Sequence, residues 1–203
     1  TDVAGNTSNT GSVNLAVDLT NPTAGTVAVT DTYGNSTTDA IVRSGTPAFT
    51  VTGASDSDTY TVPGVAAVAS VQLQVASGSS QTTGFANTGS AVTSATGGVY
   101  TLAPTSLSDG TYTIRALVTD LPGNQATTSG IDVFVDTTPP TAGTLAIVES
   151  DGTTGDGVVS TATPAFTVSG AADTGYTGAG IYSVQLQDRK STRLNSSHAN
   201  ISY

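Results

Sequence analysis

Along residues 111–119 apolar and polar side chains alternate. Tyr112, Ile114, Ala116 and Val118 fall on one side of an extended chain, Thr111, Thr113, Arg115 and Thr119 on the other, and Leu117 is out of step. A period of two marks a half-buried strand. The same alternation runs through residues 71–75, where Val71, Leu73 and Val75 are separated by Gln72 and Gln74, and through residues 131–135, where Ile131, Val133 and Val135 flank Asp132 and Phe134. Threonine- and valine-rich runs at 25–30, 47–52 and 99–103 predict further strands. Turn signals separate the runs: Ser108-Asp109-Gly110, Leu121-Pro122-Gly123-Asn124 and Thr138-Pro139-Pro140. No stretch sustains a 3.6-residue period. Short strands at this spacing predict an all-β chain built as an immunoglobulin-like Greek-key sandwich.

The chain also matches itself. TDVAGN at 1–6 returns as TDLPGN at 119–124, and VDLTNPTAGT at 17–26 as VDTTPPTAGT at 135–144, both 118 residues on. TPAFTV at 46–51 returns at 163–168, 117 residues on, and SVQLQ at 70–74 returns at 183–187, 113 residues on. Four blocks in one order, with a slowly drifting offset, predict modules in tandem. Residues 1–20 are then the last strand region of one module, 21–138 a complete module and 139–187 the first part of the next. Tyr112, just after Asp109-Gly110 at the start of a strand, is expected to pack inward as a corner tyrosine. Phe49 and Phe166 hold the same repeat position and are expected in the core.

Residues 188–203 break the pattern. They hold three of the five basic residues (Arg189, Lys190, Arg193) and the single histidine, His198. The string from Asp188 to His198 resembles the translation of a common sequencing adapter, so this segment is read as a non-native tail. With no initiator Met and no leader, the chain reads as an interior piece of a longer protein.

Composition removes whole classes of function. The absence of cysteine excludes disulfides, thiolate metal sites and cysteine nucleophiles. A serine or threonine nucleophile would need a nearby base, and residues 1–187 hold no histidine. Residues 1–187 carry only Arg43 and Arg115 against fourteen carboxylates, which excludes a nucleic-acid surface. No apolar run is long enough for a membrane span. The reading is therefore not an enzyme.

The carboxylates fall in register. Asp2 corresponds to Asp120, Asp18 to Asp136, Asp31 to Glu149 and Asp39 to Asp156, with Asp132 and Asp151 in the same zones around the two module boundaries. Asp56, Asp58, Asp109 and Asp173 lie outside them. If the TD–GN loop, the VDTTPP linker and the acidic loop that follows share one pole, their oxygens converge, and calcium takes six to eight oxygens. The candidate ligands are Asp120, Asp136, Asp151 and Asp156 at the second boundary, and Asp2, Asp18 and Asp39 at the first. Aspartate is also an ordinary turn residue, and acidic surfaces keep extracellular chains apart. Spacing leaves both readings open.

The string LSDGTYTIRALVTDLPGN, followed by a strand and VDTTPPTAG, resembles the bacterial Ig-like repeats of large surface adhesins and biofilm-associated proteins. That resemblance implies an extracellular, cell-surface protein and a structural stalk repeat that extends and stiffens a rod. It also implies adjacent modules of the same chain as partners, often with calcium at the module junctions. Two alternatives stand beside it: an Ig-like module that itself binds a glycan or protein, and a spacer in a secreted polysaccharide-degrading enzyme. The first would need an exposed aromatic cluster. The only candidate region is the Gly/Ser/Thr-rich stretch 77–98, with Phe85.

Overall fold

A computed structural model describes residues 1–12, 17–30, 40–57, 67–148, 155, 159–174, 180–181 and 183–187. The tail 188–203 and Asp39, Asp151 and Asp156 lie outside the described residues. Eleven strands and no helix occur among the described residues: β1 (Thr26–Val29), β2 (Ile41–Val42), β3 (Phe49–Thr52), β4 (Val68–Ser77), β5 (Ala86–Asn87), β6 (Val99–Leu102), β7 (Gly110–Asp120), β8 (Gln125–Thr127), β9 (Ile131–Val135), β10 (Thr144–Val148) and β11 (Ala165–Ser169).

Two sheets make the sandwich. One has the order β1-β3-β6 and the other β2-β9-β7-β4-β5, with β8 also on β7. The inward sides of the alternating runs meet between them. Val27, Phe49, Val51, Tyr100 and Leu102 come from the first sheet, and Val71, Leu73, Ile114, Ala116, Val118, Val133 and Val135 from the second. Most of this core was expected from the alternation. The two-residue β2, parallel to β9, was not, because a strand that short has no readable period. Tyr112 takes the corner role, its hydroxyl donating to the Ser108 carbonyl at 3.1 Å.

Thr113 points away from the core yet is only 2% exposed. The chain leaving β4 lies over it. The Gly78 amide donates to the Thr111 carbonyl at 2.8 Å, the Gln81 amide to Thr113 Oγ1 at 2.9 Å, and the Ser80 amide to Asp132 Oδ1 at 2.8 Å. Phe85 completes this strap, with the Arg115 guanidinium 3.9 Å over its ring, a cation–π contact. The one aromatic of the 77–98 stretch is thus stacked against its own sheet.

The repeat extends to the hydrogen-bond ladders. Thr26 pairs with Thr52 and Val29 with Phe49; 118 and 117 residues on, Thr144 pairs with Ser169 and Ile147 with Phe166. The outlying bridge Thr23–Ser55 likewise returns as Thr141–Ala172. Gly25 and Gly143 have the left-handed φ values 74° and 76°. A Cβ at either would meet backbone at 2.1 Å (Thr52 O) or 2.5 Å (Ala171 N), so the PTAGT motif requires its glycine. Burial does not repeat. Phe49 is fully buried, but Phe166 is 39% exposed, because no second sheet faces β10 and β11 among the described residues. The expectation of a buried Phe166 is corrected accordingly.

Two outcomes follow. Residues 21–138 alone should unfold in one cooperative transition, and Leu73→Ala should cost about 2–5 kcal/mol as a cavity in a fully buried site; denaturant titration measures both. The second concerns Asp132. The Ser80 amide, and then the Thr113 and Ser80 hydroxyls, hold its carboxyl below the ordinary 3.8, against partial burial that raises it. A depressed folded value stabilises above the unfolded pKa and is lost as pH falls through the folded one. Asp132→Asn should therefore cost about 1 kcal/mol at neutral pH, and the gap should close in strong acid. A gap that persists there would show that charge on Asp132 is not its source.

Candidate metal centre

Antiparallel pairing decides which carboxylates can meet. β7 is eleven residues long, and at roughly 3.3 Å per residue it spans the module from pole to pole. Its first residue, Gly110, pairs with Val135 at the end of β9. Its last, Asp120, opens the turn into β8. Asp136, just past Val135, therefore lies at the pole opposite Asp120. The expected convergence of the TD–GN loop with the VDTTPP linker is not what the structure shows. A hairpin's turn and its free end lie at opposite ends of the hairpin, so the loop faces the preceding linker instead.

At that N-terminal pole, Asp18, Asp56 and Asp120 each place a carboxylate oxygen so that all three lie within 4.8 Å of one another. Each comes from a different segment. Asp120 is 1% exposed. Its Oδ1 accepts from the amides of Gly123 at 2.8 Å and Asn124 at 2.7 Å. The two protons of the Asn124 side-chain amide are divided: Nδ2 lies 2.9 Å from Asp120 Oδ2 and 3.4 Å from the Asp18 carbonyl. Asn124 thus ties the incoming chain to the loop. The Thr23–Ser55 bridge carries Asp56 to the same place.

Asp56 Oδ1 is buried and has no hydrogen-bond partner. A buried acceptor left unsatisfied costs about 1–3 kcal/mol. Carboxylate oxygens within 4.8 Å of one another also repel, by an amount that solvent and salt reduce at the half-buried Asp18 and Asp56. A hard divalent cation would relieve both. The donor set is all oxygen, which suits calcium or magnesium; thiolates are absent from the chain and the single histidine lies in the tail. Asp18, Asp56 and Asp120 would hold the ion.

Of the residues expected from sequence, the structure brings together Asp18 and Asp120. Asp2 instead closes its own loop, accepting from the amides of Ala4 at 2.9 Å and Asn6 at 2.8 Å and from Asn6 Nδ2 at 2.7 Å. The Asn6 side chain is the first cause holding its carboxyl below the ordinary range. Asp120 and Asn124 repeat that loop 118 residues on. Asp136 Oδ1 caps the Thr138 amide at 3.1 Å, as Asp18 Oδ1 caps Thr20 at 2.9 Å. The residue missed from sequence is Asp56. A signal existed, because Asp173 lies 117 residues on, at the offset of the TPAFTV block.

The sequence model of the family described as Bacterial Ig-like domain matches residues 19–137. No curated protein matches the chain. Among the described residues, no helix is long and apolar enough to cross a membrane.

Truncating Asp120 isolates its role as a turn former. Asp120→Ala leaves the Gly123 and Asn124 amides without their acceptor, in a turn whose residues 121–123 are exposed, and should cost about 1–2 kcal/mol even in chelator. Asp120→Asn, which keeps an acceptor oxygen, should cost less. Urea unfolding of the two variants in chelator makes the comparison.

Proposed function

Because the chain belongs to the bacterial Ig-like domain family, we propose that it is a structural, non-catalytic repeat of an extracellular surface adhesin. It lengthens a rod and uses calcium to stiffen the junction between modules. Domains of this family commonly occur in extracellular or surface proteins. The observation that carries the calcium reading is the convergence of Asp18, from the segment before β1, with Asp56 and Asp120 from two loops of the following module. A cation held there would join the linker to the module rather than two parts of one module. The recurrence of the β1–β3 ladder in β10–β11 supports tandem modules. The stacking of Phe85 under Arg115 weighs against a glycan platform on this module.

Millimolar calcium acting on a site with a dissociation constant near 10⁻⁴ M would add about 1.4 kcal/mol. Asp56→Asn should reverse sign with conditions. In chelator it relieves repulsion and raises the unfolding midpoint. In millimolar calcium it removes a ligand and lowers the midpoint below that of the parent. Thermal unfolding of the chain and the variant in both buffers is the test. If calcium leaves the parent's midpoint unchanged, the three aspartates are turn residues and the calcium reading fails.

A further inference from the structure

Two motifs that the metal centre does not use meet at the opposite pole. Asp109 belongs to the SDGTYT turn before β7, and Thr137 and Thr138 belong to the VDTTPP linker after β9. The Thr137 amide donates to Asp109 Oδ1 at 2.7 Å and the Thr137 hydroxyl to the same oxygen at 2.6 Å. The Thr138 hydroxyl donates to Oδ2 at 2.5 Å. One carboxylate thus receives three donors from two consecutive residues, two of them hydroxyl protons that only threonine or serine could supply here. The linker is held at two further points: the Asp136 amide donates to the Val42 carbonyl at 2.9 Å, and Asp136 Oδ1 caps Thr138.

We infer that Asp109, Thr137 and Thr138 form a cation-independent clamp that fixes the direction in which the chain leaves the module. The conformational argument runs along the linker. Pro139 and Pro140 have φ set by their rings. Thr138, preceding a proline, is confined to extended conformations. Between β9 and Pro140 the freedom left lies mainly at Asp136 and Thr137, where the clamp acts, so few dihedrals need be frozen to direct the chain as far as Pro140. Thr137 and Thr138 donors hold the Asp109 carboxyl below its ordinary range, as expected of a carboxylate that receives rather than shares protons. The preceding linker has Leu19 where this one has Thr137, and Leu19 is 85% exposed. A clamp of this kind on that linker would lack one hydroxyl, so the two linkers are not equivalent. The inference rests on the stalk reading for its purpose, but the clamp is testable without it.

The chain has no cysteine, so paired spin labels at Ser129→Cys and Ala142→Cys, both at exposed positions, report one distance distribution across the linker. In chelator the parent should give a narrow distribution. Asp109→Ala, and separately Thr137→Val with Thr138→Val, should each broaden it about twofold or more, as expected when a linker changes from semi-rigid to flexible. Exchange of the Thr137 amide should speed up about tenfold or more in Asp109→Ala. The threonine pair lies outside the strands, so it carries the test even if Asp109→Ala unfolds. Unchanged widths in both variants, or unchanged Thr137 exchange, would overturn the clamp. A distribution that broadens only on removing calcium, and not in the variants, would also overturn it while leaving the calcium reading intact. Broadening in both variants in chelator would support the clamp, and because the three-aspartate site lies at the other pole the calcium reading stands or falls on its own test.

Discussion

Pairing along β7 governs both ends of the module. This strand shares nine residue pairs with β4 and five with β9, and it contributes Ile114, Ala116 and Val118 to the fully buried core. Its length makes it the ruler of the sandwich. Asp109 and Tyr112 are set at its start and Asp120 at its finish, and neither end can shift without slipping the register. A slip of one residue would turn the apolar side of β7 outward, so the core itself holds the two carboxylates at opposite poles. Each pole then meets a different linker. Asp120 meets the segment that precedes β1, and Asp109 meets the segment that follows β9.

The sandwich was largely legible in the sequence because its strands are half-buried and therefore alternate. The expected strand 131–135 has the bounds of β9, the runs 71–75 and 111–119 fall within β4 and β7, and the run 47–52 begins two residues before β3. What alternation could not show was pairing across long separations. The strap from Gly78 to Phe85 carries no apolar period, so nothing in it announced that it would bury Thr113 or stack Phe85 under Arg115. Phe166 failed for another reason. Repeat position predicts the ladder it joins, and Ile147–Phe166 pairs as Val29–Phe49 does. Burial also depends on the facing sheet, and repeat position does not supply that.

The candidate site was half legible. Registering the acids on the repeat found Asp18 and Asp120. The assignment of loops to poles then coupled Asp120 with Asp136, and hairpin geometry does not allow this. Asp56 lies outside the boundary zones in sequence. The Thr23–Ser55 bridge returns it to the boundary in space. Sequence distance from a junction is a poor guide in a sandwich, since every second loop returns to the same pole.

The two poles solve the same problem with opposite electrostatics. At the N-terminal pole three carboxylates converge, and Asp56 Oδ1 is buried without a donor. Such an arrangement is poor as an isolated structure and would become favourable with a counter-charge, so with a bound cation its order would follow what the medium supplies. At the other pole a single carboxylate, Asp109, meets an amide and two hydroxyls. Those donors carry no net charge and come from the chain itself, so the contact is complete without any ion and loses little to salt screening. A linker flanked by both kinds of contact would have one side whose stiffness follows the cation concentration and one side that keeps its direction regardless.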